Sequence, residues 1–318
     1  MLDVIDISFG ADRGAPFSHS FPAGRTTVVL GANRSGKTDL SRLVAGLNTV
    51  ASGRVVLDGR DLAGVRPQHR PVSLVYQAFV NYPNLSVFDN IASPLRARRL
   101  SEAETKVRVG ELADMLRIAE LLERFPHELS GGQQQRVAIA RALAKDARVL
   151  LLDEPLVNLD FKLREALEVE LRELLKATET VVIYTSSDPR DAFALGDEVL
   201  LLRDGAKLQS GVPVEVYRNP KSLAAMELLA EPGVNRFNLD GHNCALRPEH
   251  IAIGTPDQAD ERIEFAMQVV ACETSGDESF VHGRVLDEDW VVRCHGMRNV
   301  KPGAELALSA RSADVARF

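Results

Sequence analysis

Two segments of this chain carry residue types that belong to phosphate chemistry. Residues 31–38 read GANRSGKT, a glycine loop that ends in a lysine and a hydroxyl. Residues 129–160 read LSGGQQQRVAIARALAKDARVLLLDEPLVNLD, which joins a Ser-Gly-Gly turn to two adjacent carboxylates, Asp153 and Glu154. In a loop of the first kind, successive backbone N–H groups surround a β-phosphate, Lys37 reaches the β/γ oxygens and the Thr38 hydroxyl ligates Mg²⁺. In the second segment, Ser130, Gly131 and Gly132 precede a run without glycine or proline, which places them at a helix N-terminus. Unpaired N–H groups and partial positive charge there favour a phosphate. A phosphate-seeking helix start beside a metal-seeking acid pair points to nucleotide hydrolysis.

These groups need strands and helices to present them. Thr26–Leu30 (TTVVL) reads as a buried strand, and the helix after the glycine loop carries Leu40, Leu43, Val44 and Leu47 on one face, with Gly46 as its stop. Strand, glycine loop, helix is the context a phosphate-binding loop requires. Val149–Leu152 reads as a buried parallel strand that delivers Asp153 and Glu154 to the carboxyl edge of an open α/β sheet, where such sheets bind ligands. Residues 1–9, ending in Phe9, and Arg54–Leu57, Val72–Tyr76, Thr180–Tyr184 and Glu198–Leu202 supply further strands. Gln77 closes one of them and leads into AFVNYPNLSVFDNI, a turn-rich loop whose Phe79, Tyr82, Leu85, Val87 and Phe88 mostly pack a small subdomain. From Ser101 to about Arg124 the pattern is helical, with Val107, Leu112, Met115, Leu116, Leu121 and Leu122 apolar. Beyond Asp160, Leu163, Leu167, Leu171 and Leu174 recur at helical spacing, and Glu168 and Arg172 are placed for an i,i+4 pair on the solvated face.

At 318 residues the chain exceeds a single core, so one large and one smaller domain are expected. The formal net charge of −7 argues against a nucleic-acid or anionic-lipid surface as main partner. MLDVIDISFG lacks the basic start and apolar core of a signal peptide, and no apolar run approaches the roughly 20 residues of a membrane span. Cys244, Cys272 and Cys294 show no metal-ligand spacing and read as reduced thiols of a cytosolic protein. EPGVNRFN, at 231–238, interrupts the α/β rhythm and sets a boundary between residues 1–233 and 234–318. Beyond it, short runs at Ala245–Leu246, Ile251–Ile253, Phe265–Val270, Phe280–Val285, Trp290–Arg293 and Leu306–Ser309 describe a small all-β domain of barrel type.

In order and spacing, GANRSGKT, Gln77, LSGGQQQR, VLLLDE and NLD (158–160) resemble the ATP-binding subunits of ABC transporters over essentially the whole chain. The resemblance implies an ABC-type P-loop NTPase cassette with a helical subdomain, followed by an OB-like regulatory domain. It implies that Phe9 stacks on adenine and that Gly31, Ala32, Asn33, Arg34, Ser35, Gly36, Lys37 and Thr38, with Asp39 beside them, hold the nucleotide. Thr38 and Gln77 would ligate Mg²⁺, Asp153 would bind it through water, and Glu154 would be general base for the attacking water. Ser130, Gly131, Gly132 and Gln133 would contact the γ-phosphate of ATP on the opposite subunit, with Asp160 lining that interface. CALRPEHIAIG (244–254) looks like the regulatory domain of sugar-class importers. Residues 75–96 and 153–167 look most like ATPases of glycerol or glycerol-phosphate uptake. The implied setting is the cytoplasmic face of a bacterial inner membrane, with two permease subunits and, indirectly, a solute-binding protein. The loop at Tyr82–Phe88 is where permease coupling helices would dock.

Two positions depart from the family pattern. Ser187 stands where ABC cassettes usually place a γ-phosphate-contacting histidine, and Arg34 stands where glycine or a small residue is favoured. Serine can donate one hydrogen bond but cannot become a cation near neutral pH. Both departures fall in the site built on this chain's own phosphate loop, while LSGGQQQR is intact. That asymmetry favours pairing with a different ATPase subunit over a homodimer, with the Lys37 site mainly binding nucleotide. The rival classes are a DNA-repair or translation ATPase, or an importer of another solute. The short gap from Lys37 to Ser130, the single cassette and the acidic charge disfavour the first two.

Overall fold

The wholly buried runs at Thr26–Leu30, Val149–Asp153 and Val181–Ser186 lie side by side as parallel strands, because a strand covered on both faces needs no polar side. The structure, a computed structural model, describes residues 1–9, 14–49, 52–78, 80–157, 161–176, 179–254 and 261–318. The chain divides into two compact units, Met1–Asn219 and Pro220–Phe318, ahead of the boundary expected at 233/234.

In the first unit the elements are β1 (Leu2–Ser8), β2 (Phe17–Phe21), β3 (Thr26–Leu30), α1 (Lys37–Ala45), β4 (Ser52–Leu57), β5 (Arg60–Asp61), β6 (Val72–Val75), α2 (Val87–Ala97), α3 (Glu102–Met115), α4 (Gly131–Ala144), β7 (Val149–Asp153), α5 (Phe161–Lys176), β8 (Val181–Ser186), α6 (Pro189–Leu195), β9 (Glu198–Arg203), β10 (Ala206–Gly211) and α7 (Pro213–Arg218). A six-stranded sheet runs β10-β9-β3-β8-β7-β6, parallel except for β10, and a second sheet runs β2-β1-β4-β5. One core joins Leu2, Ile7 and Phe21 of the antiparallel sheet, Leu40 and Val44 of α1, and Val29, Leu151 and Ile183 of the parallel one. Helix α2 packs against α3 and α4 as the helical subdomain.

Several local expectations change on contact with tertiary structure. Gly46 takes a left-handed φ of 78° and ends α1, so Leu47 leaves the apolar face and is 46% exposed. Helix α3 buries Thr105, Val109, Leu112 and Ala113, which puts Val107 and Met115 off the stripe and exposed. That helix stops at Met115 because Arg117 is left-handed, and only a 3₁₀ turn at Ala119–Leu121 follows. The segment expected as loop up to Ile91 is helical from Val87, capped by the Ser86 hydroxyl, with Val87 and Ile91 buried. Glu168 pairs with Arg164 at 2.7 Å in place of Arg172.

The second unit holds α8 (Leu223–Leu228), β11 (Asn235–Leu239), β12 (His242–Leu246), β13 (Ile251–Ile253), β14 (Arg262–Thr274), β15 (Glu278–Val285), β16 (Glu288–His295), β17 (Glu305–Arg311) and β18 (Ala316–Arg317), in sheets of order β11-β12-β18 and β13-β17-β14-β15-β16. Its core centres on Trp290, 1% exposed, whose ring meets Phe265 and Phe237 and whose Nε1–H donates to the Arg236 carbonyl at 3.0 Å. All three cysteines are free thiols.

Candidate functional site

The carboxyl ends of β3, β7 and β8 bring the expected residues to one edge. Between β3 and α1 the loop turns at Arg34 (φ 66°) and Gly36 (φ 105°). Left-handed geometry costs a non-glycine residue about 1–2 kcal/mol, so Arg34 meets the condition under which it strains the loop. A Cβ on Gly31 would lie 2.4 Å from both the Leu202 carbonyl and the Ser35 Oγ, which leaves room for nothing but glycine. The Gly205 N–H braces the loop from the β9–β10 turn by donating to the Ser35 carbonyl at 2.9 Å. Phe9 is half-buried, its ring edge beside Gly36 and 6.2 Å from the Phe17 ring. Ala32, Asn33, Arg34 and Thr38 are exposed, and Asp39 sits in the first turn of α1.

Lys37 is buried and its Nζ lies 2.6 Å from the Gly31 carbonyl, 2.9 Å from that of Ala32 and 3.2 Å from Glu154 Oε1. The lysine and the expected general base therefore face each other across the sheet edge. Thr38 Oγ1 donates to Asp153 Oδ1 at 3.2 Å, and Thr185 Oγ1 donates to the same oxygen at 2.8 Å. Burial pushes the Asp153 carboxyl up from the usual carboxylate range, and the Thr185 and Thr38 hydroxyls oppose that shift. The backbone at Glu154 is left-handed, φ 46°, and its N–H donates to Thr185 Oγ1 at 3.0 Å. That turn takes the side chain out of the strand direction and toward Lys37.

Ser187 lies just beyond β8, exposed, with no hydrogen bond of its side chain among the described residues. It lines a narrow cleft with Glu154, Arg164, Tyr184, Asp188 and Asp191. Behind it lies a charge cluster that sequence reasoning missed. Arg164 of α5 reaches Asp191 at 2.6 Å, Asp188 at 2.8 Å and Glu168 at 2.7 Å, and Ser186 Oγ donates to Asp191 at 2.5 Å. Burial works against the Arg164 charge, yet its carboxylate partners raise its pKa above the ordinary guanidinium value. Against the effect of burial, hydrogen bonds from Arg190 and the charge of Arg164 hold Asp188 below the usual carboxylate range. Nothing in the local pattern distinguished Arg164 from a solvated helix charge.

The structure does not bring every expected residue into contact. Gln77 follows β6 at the same sheet edge but is exposed and makes no hydrogen bond among the described residues. Asp160 and Phe79 lie outside the described residues. The segment beginning at Ser130 caps α4 with a reciprocal box: Ser130 Oγ accepts from the Gln133 N–H and Gln133 Oε1 accepts from the Ser130 N–H at 3.0 Å. Gly131 is exposed and a Cβ there would meet nothing within 4 Å, so its helix start is open to an outside group. Gly132 is buried.

The loop after Gln77 is fastened to α4. The Asn81 amide donates to the Gln134 carbonyl at 2.8 Å, and the Arg141 guanidinium lies 4.7 Å over the exposed Tyr82 ring while donating to the Val80 carbonyl. Buried Asn90 completes the turn: its Oδ1 accepts from the Tyr82 N–H and its Nδ2 donates to the Tyr82, Leu85 and Ser86 carbonyls.

With that geometry in place, the ABC transporter family pattern matches residues 15–157 and the TOBE domain pattern matches residues 244–318. The sn-glycerol-3-phosphate import ATP-binding protein UgpC of Rhodopseudomonas palustris (strain BisA53) is 37% identical over 86% of this chain and 80% of its own. The chain belongs to the ABC transporter ATP-binding family. A spermidine/putrescine import ATP-binding protein, PotA of Thermotoga maritima, is 45% identical over 65% of this chain and 56% of its own. Among solved structures, the dimeric ATP-binding cassette MJ0796 in a post-hydrolysis state bound to ADP and Pi aligns with a TM-score of 0.60 at 25% identity, covering 67% of this chain and 99% of that one. As an ABC ATPase the chain binds ATP and hydrolyses it for transport, on a cassette followed by a β-rich TOBE-type domain. Among the described residues, no helix is long and apolar enough to cross a membrane.

Proposed function

We propose that this chain powers an importer for a small polyol-type solute such as glycerol or glycerol-phosphate, with ATP clamped between two cassettes. The observation that carries this reading is the grouping of Lys37, Thr38, Asp153 and Glu154 within hydrogen-bonding reach at one sheet edge. The solute class is supported by likeness to the glycerol-phosphate relatives along most of the chain. The PotA likeness supports a polyamine as the second reading.

The donors at this edge suit Mg²⁺ bound with nucleotide. Thr38 and Asp153 offer hard oxygens, and among the described residues no group of three or more His, Cys, Asp or Glu could cage a metal alone. Thr38, Gln77 and, through water, Asp153 would hold Mg²⁺, which would supply positive charge to offset that of the phosphates. Phe9 would cover the adenine. Lys37 would balance charge on the β/γ oxygens with the loop's N–H groups, and Glu154 would accept the attacking water's proton. Ser130, Gly131, Gly132 and Gln133 would present their helix start to the other cassette's γ-phosphate. Asp160 would line that interface.

The chain would act at the cytoplasmic face of a bacterial inner membrane, peripherally, on two permease subunits served by a solute-binding protein. The boundary at residues 233/234 would separate catalysis from regulation. Pairing with a non-identical cassette is supported by the strained Arg34 and by Ser187, which gives the Lys37 site a short neutral hydroxyl. ATPase activity of the purified chain, alone and mixed with a second cassette subunit and permeases, tests the reading. Solute-stimulated hydrolysis in the mixture that Glu154→Gln reduces is expected. Solute uptake that survives Lys37→Ala combined with Gly131→Asp would overturn it, and robust turnover by the lone chain would overturn the unequal pairing.

A further inference from the structure

We infer that Thr185 is a positioning residue for hydrolysis, fixing the metal-side carboxylate and the general base with one hydroxyl. The inference rests on the reading of Asp153 and Glu154 given above. Thr185 lies opposite Asp153 in the parallel register of β7 and β8 and has no exposed surface. A hydroxyl owns one proton, and a backbone N–H can only donate, so the two bonds here have fixed directions. Thr185 Oγ1 accepts from the Glu154 N–H at 3.0 Å and spends its proton on Asp153 Oδ1 at 2.8 Å.

Each bond holds something the chemistry needs. The bond to Asp153, with that from Thr38, places both hydroxyls on Oδ1, so that Oδ2 would be the oxygen through which Asp153 holds Mg²⁺ by way of water. The bond from Glu154 secures the left-handed residue that turns its carboxylate toward Lys37, 3.2 Å away. The threonine type fits the task, because a β-branched side chain has restricted χ1 and its methyl fills a buried position while the hydroxyl stays aimed. A second-sphere partner of this kind tunes metal affinity without touching the metal.

The full-length chain with Thr185→Val and Thr185→Ser separates positioning from packing. Valine keeps the shape and removes both bonds; serine keeps the hydroxyl and removes the methyl. Three readouts are taken: the thermal midpoint without nucleotide, Mg²⁺ dependence of binding to a fluorescent ATP analogue, and hydrolysis in the assembled complex. The expected result is that Thr185→Val raises the half-saturating Mg²⁺ concentration by about 10-fold. Its kcat falls while its KM for ATP at saturating Mg²⁺ changes little, and Thr185→Ser recovers the Mg²⁺ dependence despite a lower thermal midpoint. A Thr185→Val protein with the wild-type Mg²⁺ curve, or equal Mg²⁺ shifts in the two variants, would overturn the inference alone. Failure of the wild-type chain to bind Mg-ATP would overturn the functional reading and the inference with it.

Discussion

Gly131→Ala distinguishes a glycine kept for another molecule from one kept for its own fold. An added Cβ at Gly131 meets nothing within 4 Å, and the residue stands at the first position of α4, behind the Ser130 cap. Alanine in a helix is favoured over glycine by up to about 1 kcal/mol, so the variant should be as stable as wild type or slightly more so. The same change at Gly31 drives a methyl to 2.4 Å from the Leu202 carbonyl, which belongs to the inner strand β9 and cannot retreat. Overpacking of that kind costs about 1–3 kcal/mol, so Gly31→Ala should lower the urea midpoint and distort the loop. The functional outcomes should also separate. Gly131→Ala should keep nucleotide binding to the Lys37 site yet cut hydrolysis in the assembled transporter by about 100-fold or more, because the added methyl would hold the other cassette's phosphate off the helix-start N–H groups, an effect comparable to losing one phosphate-facing donor. Gly31→Ala should lose binding itself. Urea denaturation, equilibrium binding of a fluorescent ATP analogue and phosphate release read these effects. A Gly131→Ala chain destabilised by more than about 1 kcal/mol, or one hydrolysing ATP normally in the complex, would refute the assignment of this helix start to a second cassette.

Other perturbations test separate parts of the fold. Burial, with help from the Lys207 charge, lowers the His19 pKa from 6.5 to about 4. The unfolded chain therefore binds the extra proton first, and stability is lost as pH falls from 6.5 toward 4, by roughly 2 kcal/mol between pH 7 and 5. His19→Gln should flatten that slope in urea titrations across this range. Asn90→Ala removes four bonds that fix the turn at Tyr82–Ser86 and should cost about 2–3 kcal/mol, with faster hydrogen exchange at the Tyr82 amide. Phe237→Ala takes away a ring packed on Phe265 and Trp290 and should cost the second unit about 3 kcal/mol. The chain's single tryptophan makes Trp290 emission the direct readout of that loss.

The phosphate loop, the acid pair and the helix start at Ser130 were legible because each is encoded within a few consecutive residues. Buried strands such as Thr26–Leu30 were equally plain, since a doubly covered strand is an unbroken apolar run. What escaped were features that depend on where a helix turns or whom it faces. Val107 looked like core, but only tertiary packing could show that α3 buries the opposite side. Arg164 carries no mark in the local pattern, but three carboxylates from its own helix and the segment after β8 converge on it. Thr185 was hidden for another reason: it lies 32 residues from Asp153 in sequence, and its hydroxyl meets the acid pair only through the register of β7 and β8.

The same convergence would let one chain present groups to two nucleotides at once, as proposed above. Helix α5 is gripped at both faces by charge as well as by its buried leucines. Near its start Arg164 holds Asp188 and Asp191, which follow the end of β8 and Ser187. Two turns later Glu170 pairs with Arg136 of α4 at 3.3 Å and with Arg117 at 3.1 Å. Helix α4 in turn is capped by Ser130, so the segment proposed to face this chain's own nucleotide and the segment proposed to face the other cassette's would be joined through a single helix. Ion pairs of this sort add little net stability, because desolvation offsets most of their attraction, but a wrong register leaves a charge unpaired and is penalised by several kcal/mol. Their contribution is to forbid sliding. Apolar packing alone would let α5 shift by small steps against its neighbours, whereas Arg164 and Glu170 permit one setting. A rigid link of this kind is what a clamp requires if closure around one nucleotide is to be felt at the other.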